Sequence, residues 1–164
     1  MDNGVSDPSN DTIYYDIDRP LTWDDFQGAP DYNSRGGAIT ASGFAFSANM
    51  NTAGRDTYLN VRVYTFFSKK NSWKKQNINS SYHLMHEQHH FDITRISAEK
   101  FYYELKNANF TVNNYNKLLP ELFNKAFEEN SDLQQRYDSE THHSINTSEQ
   151  LKWNNKIDRE IRSL

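Results

Sequence analysis

The sequence predicts an α+β fold, and a change of hydrophobic period partway along the chain is what predicts it. Before about Ser80 apolar and polar residues alternate as in strands, whereas beyond it apolar residues recur at helical spacing. The two kinds of segment are segregated along the chain, the pattern of a sheet followed by helices. At 164 residues the chain has the length of one domain and can bury a sizeable core. Ten Phe, ten Tyr and three Trp make that core aromatic rather than leucine-rich.

Met1 to Asp11 is polar and holds Pro, Gly, Ser and Asn, so it is expected to be a disordered leader. Residues 12–164 form the single domain. Leu21-Thr22-Trp23-Asp24-Asp25-Phe26-Gln27-Gly28-Ala29-Pro30 is an aromatic-anchored segment ended by Gly and Pro. From Ala38 to Ala48 the chain alternates, with Thr40, Ser42, Phe44 and Phe46 on one side. From Tyr58 to Phe67 it does so more clearly, with Leu59, Val61, Val63 and Phe67 opposite Asn60, Arg62 and Tyr64. Joined by Asn49–Thr57, which includes Gly54, the two runs read as an antiparallel hairpin with a long loop.

Leu84, Ile93, Ile96, Phe101 and Leu105 then stripe one helix, from about Ser80 to Asn107–Asn109. Leu118, Leu119, Leu122, Phe123, Ala126 and Phe127 mark a second, with Pro120 expected in its first turn, where a missing N–H costs nothing. A last helix begins at Asn146, with Glu149 completing a capping box, and buries Trp153, Ile157 and Ile161.

Composition excludes several functions. Eighteen basic against 22 acidic side chains give a net charge of −4, without the concentrated basic footprint of a nucleic-acid surface. The one basic cluster, Lys69, Lys70, Lys74 and Lys75, reads as a solvated turn. The absence of cysteine rules out disulfides, thiolate zinc sites and cysteine nucleophiles together. No stretch approaches the ~18–20 apolar residues of a membrane span. The leader does not resemble a signal peptide, so a secreted or periplasmic location is expected only if such a peptide has been removed. Oligomeric state is not legible.

Within the long helix lies His86-Glu87-Gln88-His89-His90, a match to H-E-x-x-H. Residues i and i+4 stand one helical turn apart, so both imidazoles project from one face and can share one ion. Zn2+ suits two neutral imidazoles with a third protein ligand and one open position for water. Glu87, about 100° around the helix from His86, can stand beside the ion without binding it and take a proton from that water. His83 lies near the same face, while His89 points elsewhere; both are expected to be ordinary surface or interface histidines. The extended form H-E-x-x-H-x-x-G-x-x-H is excluded, because Ile93 and Ile96 stand where it needs Gly and His. The third ligand must come from elsewhere. Tyr137-Asp138-Ser139-Glu140-Thr141-His142-His143, read as a loop between two helices, is the polar cluster able to fold back over the site.

At these residues the chain resembles a bacterial family catalogued as a domain of unknown function and described as zinc-dependent peptidases. Four landmarks match in order: the Leu21–Gly28 segment, Ser72-Trp73, His86-Glu87-Gln88-His89-His90-Phe91-Asp92-Ile93, and Tyr137–His143, with Glu149-Gln150 and Trp153 following. Together they span nearly all of the chain after the leader. The chain departs from the family in having Arg95 where an acidic residue is usual and Ser144 where Gly follows the late His.

The resemblance implies a zincin-like domain: a short antiparallel sheet packed on a long active-site helix, with further C-terminal helices. It puts the third zinc ligand at His143, in the position of the family's late His, with His142, Asp138 and Glu140 as competitors. Asp138 or Asp92 is then the expected partner of a ligand's other ring nitrogen. The expected activity is amide hydrolysis of a peptide or protein substrate, with Glu87 as general base and Tyr137 as donor to the oxyanion. A non-catalytic binding domain on the same fold and a zinc amidase for non-peptide amides are the alternatives.

Overall fold

The computed structural model describes residues 11–164. The strands are β1 (Thr12–Tyr14), β2 (Ala38–Ile39), β3 (Ser42–Ala53), β4 (Asp56–Ser68) and β5 (Trp73–Lys74). Three helices follow, α1 (Ser81–Asn107), α2 (Tyr115–Thr141) and α3 (Thr147–Arg162). The fold is therefore mixed α+β, with a short antiparallel sheet preceding the helices. β1, β4 and β3 pair antiparallel in that order, and β2 pairs with β5 in a separate two-stranded ribbon. Among the described residues no helix is long and apolar enough to cross a membrane.

Period 2 in the strands meets period 3.6 in the helices at one shared layer. Phe44, Phe46 and Ala48 of β3 and Leu59, Val61 and Val63 of β4 face Phe101 and Leu105 of α1 and Leu119, Leu122, Phe123 and Ala126 of α2. Phe44, Phe46, Phe101 and Phe123 interlock at ring-centroid distances of 5.1–6.0 Å. Such aromatic pairs are worth about 0.5–1.5 kcal/mol each beyond the area they bury. A second cluster gathers Ile13, Leu21, Phe26, Phe67 and Phe91, and a third joins Ile93 and Ile96 of α1 to Tyr137 of α2 and Trp153 and Ile157 of α3. α1 touches every one of these clusters, so its remaining face is held in a fixed position.

The structure corrects several expectations. The hairpin loop is short: Ala53 pairs with Asp56, leaving Gly54 and Arg55 as the turn, and Gly54 has the left-handed φ of 63° that such a turn favours. The run from Ala38 breaks after Ile39, because Ala38–Ile39 pairs with β5 while β3 starts at Ser42. α2 begins at Tyr115, so Pro120 sits inside it rather than in its first turn. The missing N–H leaves the Asn116 carbonyl without its helical donor, a small cost because Asn116 is exposed.

α2 also runs on through Thr141, so the polar cluster from Tyr137 to Thr141 is helix and only His142 and His143 lie beyond it. Of the expected leader, residues 1–10 lie outside the described residues, and Asp11 belongs to the domain. Its carbonyl accepts from the Lys69 N–H at 2.8 Å and its carboxylate from the Lys70 N–H at 2.7 Å. α3 starts where expected, with the Asn146 side chain accepting from the Glu149 N–H.

Candidate metal centre

Ser80 caps α1, its hydroxyl accepting from the His83 N–H, and the helix then presents His86 and His90 one turn apart toward α2. α2 answers with Asn130, Gln134 and Asp138, spaced four residues apart and all lining the same cleft. The His86 and His90 Nε2 atoms lie 3.3 Å apart, and each lies 3.1 Å from Asp138 Oδ1. Among the described residues these three form the group able to hold a metal ion. Tetrahedral zinc with ligand bonds of ~2.0–2.1 Å separates its ligand atoms by about 3.3 Å, so the triangle fits such an ion.

The other ring nitrogens settle which atoms face inward. His86 Nδ1 lies 2.8 Å from Gln150 Oε1, and His90 Nδ1 lies 2.5 Å from Gln134 Oε1. Both amides are oriented by what their nitrogens do. Gln150 Nε2 donates to the Tyr137 hydroxyl and to Asn154 Oδ1; Gln134 Nε2 donates to the His90 carbonyl and to Thr94 Oγ1. Each Gln therefore offers an oxygen, each imidazole donates its Nδ1–H to it, and each Nε2 lone pair points at the Asp138 carboxylate. Three acceptors so close together repel one another unless a cation lies among them.

Titration follows from that crowding. Burial opposes a charge on His90, but its hydrogen bond to Asp138 and the negative charges of Glu87 and Asp138 outweigh it and hold the ring's pKa up at about 9. Burial likewise works against ionised Asp138, and the hydrogen bonds from His86 and His90 hold it well below the usual carboxylate range. In the absence of metal, a proton is the cation of the cluster.

Glu87 is buried at 6% exposure and lines the same cleft. The Thr40 hydroxyl fixes it from across the cleft, 2.7 Å from Oε2 and 3.0 Å from the Glu87 carbonyl. Thr40 is held by the segments that looked only aromatic or small in the sequence. The next N–H, that of Ala41, donates to Ser72 Oγ, and the Leu21 N–H donates to Gln88 Oε1 on α1. Gly28 packs so closely on the Lys70 and Ser72 carbonyls that a Cβ there would lie 2.6 and 2.8 Å from them.

Not every expected site residue reaches the centre. His143 lines the cleft, with Nδ1 3.3 Å from Asp138 Oδ1, but its side chain is half exposed and it is not one of the three grouped donors. His142, His143 and Ser144 all have positive φ, of 50°, 50° and 71°. This left-handed run of non-glycine residues is strained, and Ser144 stands where the resembled family carries Gly. Tyr137 is fully buried and absent from the cleft lining: its ring stacks on His86 at 4.6 Å, and its hydroxyl donates to the His86 carbonyl. That geometry takes it out of reach of an oxyanion, and burial raises its pKa further. His83 lines the cleft, its Nδ1 2.6 Å from Ser80 Oγ. His89 is not a surface residue but is buried against Asp92, with Nδ1 2.9 Å from Oδ2. Asp92 thus serves His89 and Tyr15 rather than a ligand.

Sequence patterns do not single out Gln134, Gln150, Thr40 or Asn130 as site residues. Only Gln150 gave any sign of itself, as one of the later landmarks of the family pattern. Compared with protein-family models, with curated proteins and with solved structures, the chain finds no match.

Proposed function

We propose that the protein is a zinc-dependent hydrolase of amide bonds, most simply a metallopeptidase, in which His86, His90 and Asp138 hold the ion and Glu87 is the general base. The observation that carries this reading is the triangle of 3.1, 3.1 and 3.3 Å among three inward-facing acceptors, with a buried carboxylate beside it that is not one of the three. A structural zinc site has no use for such a carboxylate, and closed structural sites use four protein ligands where this group supplies three. When bound, zinc would supply a Lewis acid that lowers the pKa of a water toward ~7 and polarises the scissile carbonyl.

Glu87 does the proton work. Thr40 occupies Oε2, and Oε1 accepts no hydrogen bond from the described residues, so the water proton goes to Oε1. As the C–O bond forms and the C–N bond breaks, the same oxygen returns that proton to the leaving amine. Asn130 lines the cleft, with its Oδ1 buried and unpartnered.

An extended peptide suits the cleft wall better than a small amide does. Gly37 accepts from the Lys75 N–H and Ile39 pairs with Trp73, so those residues point their backbone groups at β5. By antiparallel alternation Ala38 and Thr40 point theirs to the opposite edge, on a segment that lines the cleft from Gly36 to Thr40. The cleft measures about 330 Å³, room for a few side chains.

The test is elemental analysis of purified protein, then a broad peptide-library digest with wild type and Glu87→Gln. One zinc per chain in both, with cleavage by wild type and a loss of about 10²–10⁴-fold in Glu87→Gln, is the expected result. Loss of zinc in Glu87→Gln would make Glu87 a ligand and the mechanism wrong.

A further inference from the structure

The cleft does not end at the metal group. It continues into a second recess of about 650 Å³ on the far side of His83 and His143. Arg35, Lys75, His83, His142 and His143 line this recess, and its one carboxylate is Asp138, already turned to the two ligand histidines. On a chain of net charge −4 such a wall is unusual. Seven other Lys and Arg side chains form ion pairs, all away from this recess, and neither Arg35 nor Lys75 is in one among the described residues.

Arg35 is exposed, but the backbone that carries it is fixed. The Lys75 ammonium donates to the Ser34 carbonyl at 2.6 Å and the Lys75 N–H to the Gly37 carbonyl at 2.8 Å, so the backbone on both sides of Arg35 is tied down. Gly37 packs against Ile78 so closely that a Cβ would lie 2.9 Å from its side chain, which fixes the same loop from below. A guanidinium at a cleft wall, carried on backbone tied down at both sides and with no carboxylate of its own among the described residues, is a ready partner for a bidentate carboxylate.

We infer that this recess binds a carboxylate of the substrate through Arg35, with Lys75 reinforcing it, so that the enzyme prefers an anionic group close to the scissile bond. The inference rests on the peptidase reading above. The carboxylate has two possible sources, an acidic side chain or a free C-terminus, and matched peptides separate them. One pair differs by Glu against Gln beside the cleaved bond, and the other by a free against an amidated C-terminus.

With zinc-loaded protein, the anionic member of one pair should be cleaved with a kcat/KM at least about tenfold higher. The pair that responds identifies the source, and equal rates in both pairs overturn the inference. Arg35→Gln should erase the preference by raising KM with kcat and zinc content unchanged, and Arg35→Glu should turn it toward a Lys-containing peptide. A preference that survives both substitutions overturns it as well. If wild type cleaves no peptide, the hydrolase reading fails and the recess is judged by binding alone. Zinc-loaded protein should then bind a tetraglutamate peptide more tightly than tetraglutamine, with the difference abolished in Arg35→Gln; equal binding refutes the recess.

Discussion

Replacing Gln150 by Met keeps the volume and removes both polar ends of a side chain with no exposure at all. Its oxygen is the acceptor for His86 Nδ1, and its nitrogen serves the Tyr137 hydroxyl and Asn154 Oδ1. Asn154 is only half-buried and can turn to water, whereas the His86 and Tyr137 groups cannot. The Tyr137 hydroxyl keeps the His86 carbonyl as acceptor, so one buried donor, His86 Nδ1–H, is left without a partner, at a cost of about 1–3 kcal/mol of folding stability. The metal effect is separate. Without its acceptor the His86 ring loses the tautomer that points Nε2 inward, and loss of such a partner typically weakens metal binding about 10–100-fold.

Gln150→Glu is the companion variant, because it keeps an oxygen opposite Nδ1 while losing the donor to Tyr137. Zinc affinity, measured by competition with a chromophoric chelator on protein shown to be folded by circular dichroism, should fall in the Met variant and return in the Glu variant. Wild-type affinity in folded Gln150→Met would refute the claim that this amide orients the ligand. Failure of Glu to restore binding would refute the claim that its oxygen is what matters.

Three further outcomes follow from the geometry. Asp138→Ala should weaken zinc binding by about 100-fold or more, while His143→Ala leaves it within a few-fold; the reverse order in the same titration would return the third ligand to His143. The pH response has two limbs. His90, raised to about 9, stabilises the metal-free fold below its unfolded value of 6.5 and loses that contribution as pH rises through 9. Asp138, lowered from 3.8, contributes above that value and loses its contribution as pH falls further below it. Zinc must displace the His90 proton, so its apparent affinity should drop about tenfold per pH unit below 9, checked by chelator competition across pH. Gly28→Ala should cost about 1–3 kcal/mol in denaturant unfolding, since the neighbours its Cβ would meet are backbone carbonyls that cannot swing aside.

What the sequence made legible was local. His86, Glu87 and His90 share one helix, and their i, i+4 geometry is independent of the rest of the fold. The stripe through Ile93, Ile96, Phe101 and Leu105 located that helix for the same reason. Asp138, Gln134 and Asn130 form a stripe too, but a polar one facing α1, and apolar periodicity is blind to it. From the sequence the end of α2 therefore looks like loop, and Asp138 stands there as a competitor to His143 or as the partner of a ligand's other ring nitrogen. The tip of the hairpin escaped for a related reason. Residues 51–58 extend past the core with both faces exposed, so no alternation marks them as strand. His89 looked exposed by type and is buried, because Asp92, three residues on, supplies its partner within the helix.

The reach of Gln150 to His86 gives the molecule an order of assembly in time. Two ring nitrogens and a carboxylate come from α1 and α2, yet the residue that turns one ring correctly lies 64 positions beyond it, on α3. A ribosome adding roughly 5–20 residues per second makes all three ligands before it makes the piece that orients them. If the proposed centre binds zinc, the nascent chain carries its ligands through that interval without their final aim, and full affinity would arrive only when α3 docks. On that reading the centre would be completed late, together with the α1–α3 cluster of Ile93, Ile96, Trp153 and Ile157, and docking of a helix that donates no ligand would be the event that arms it.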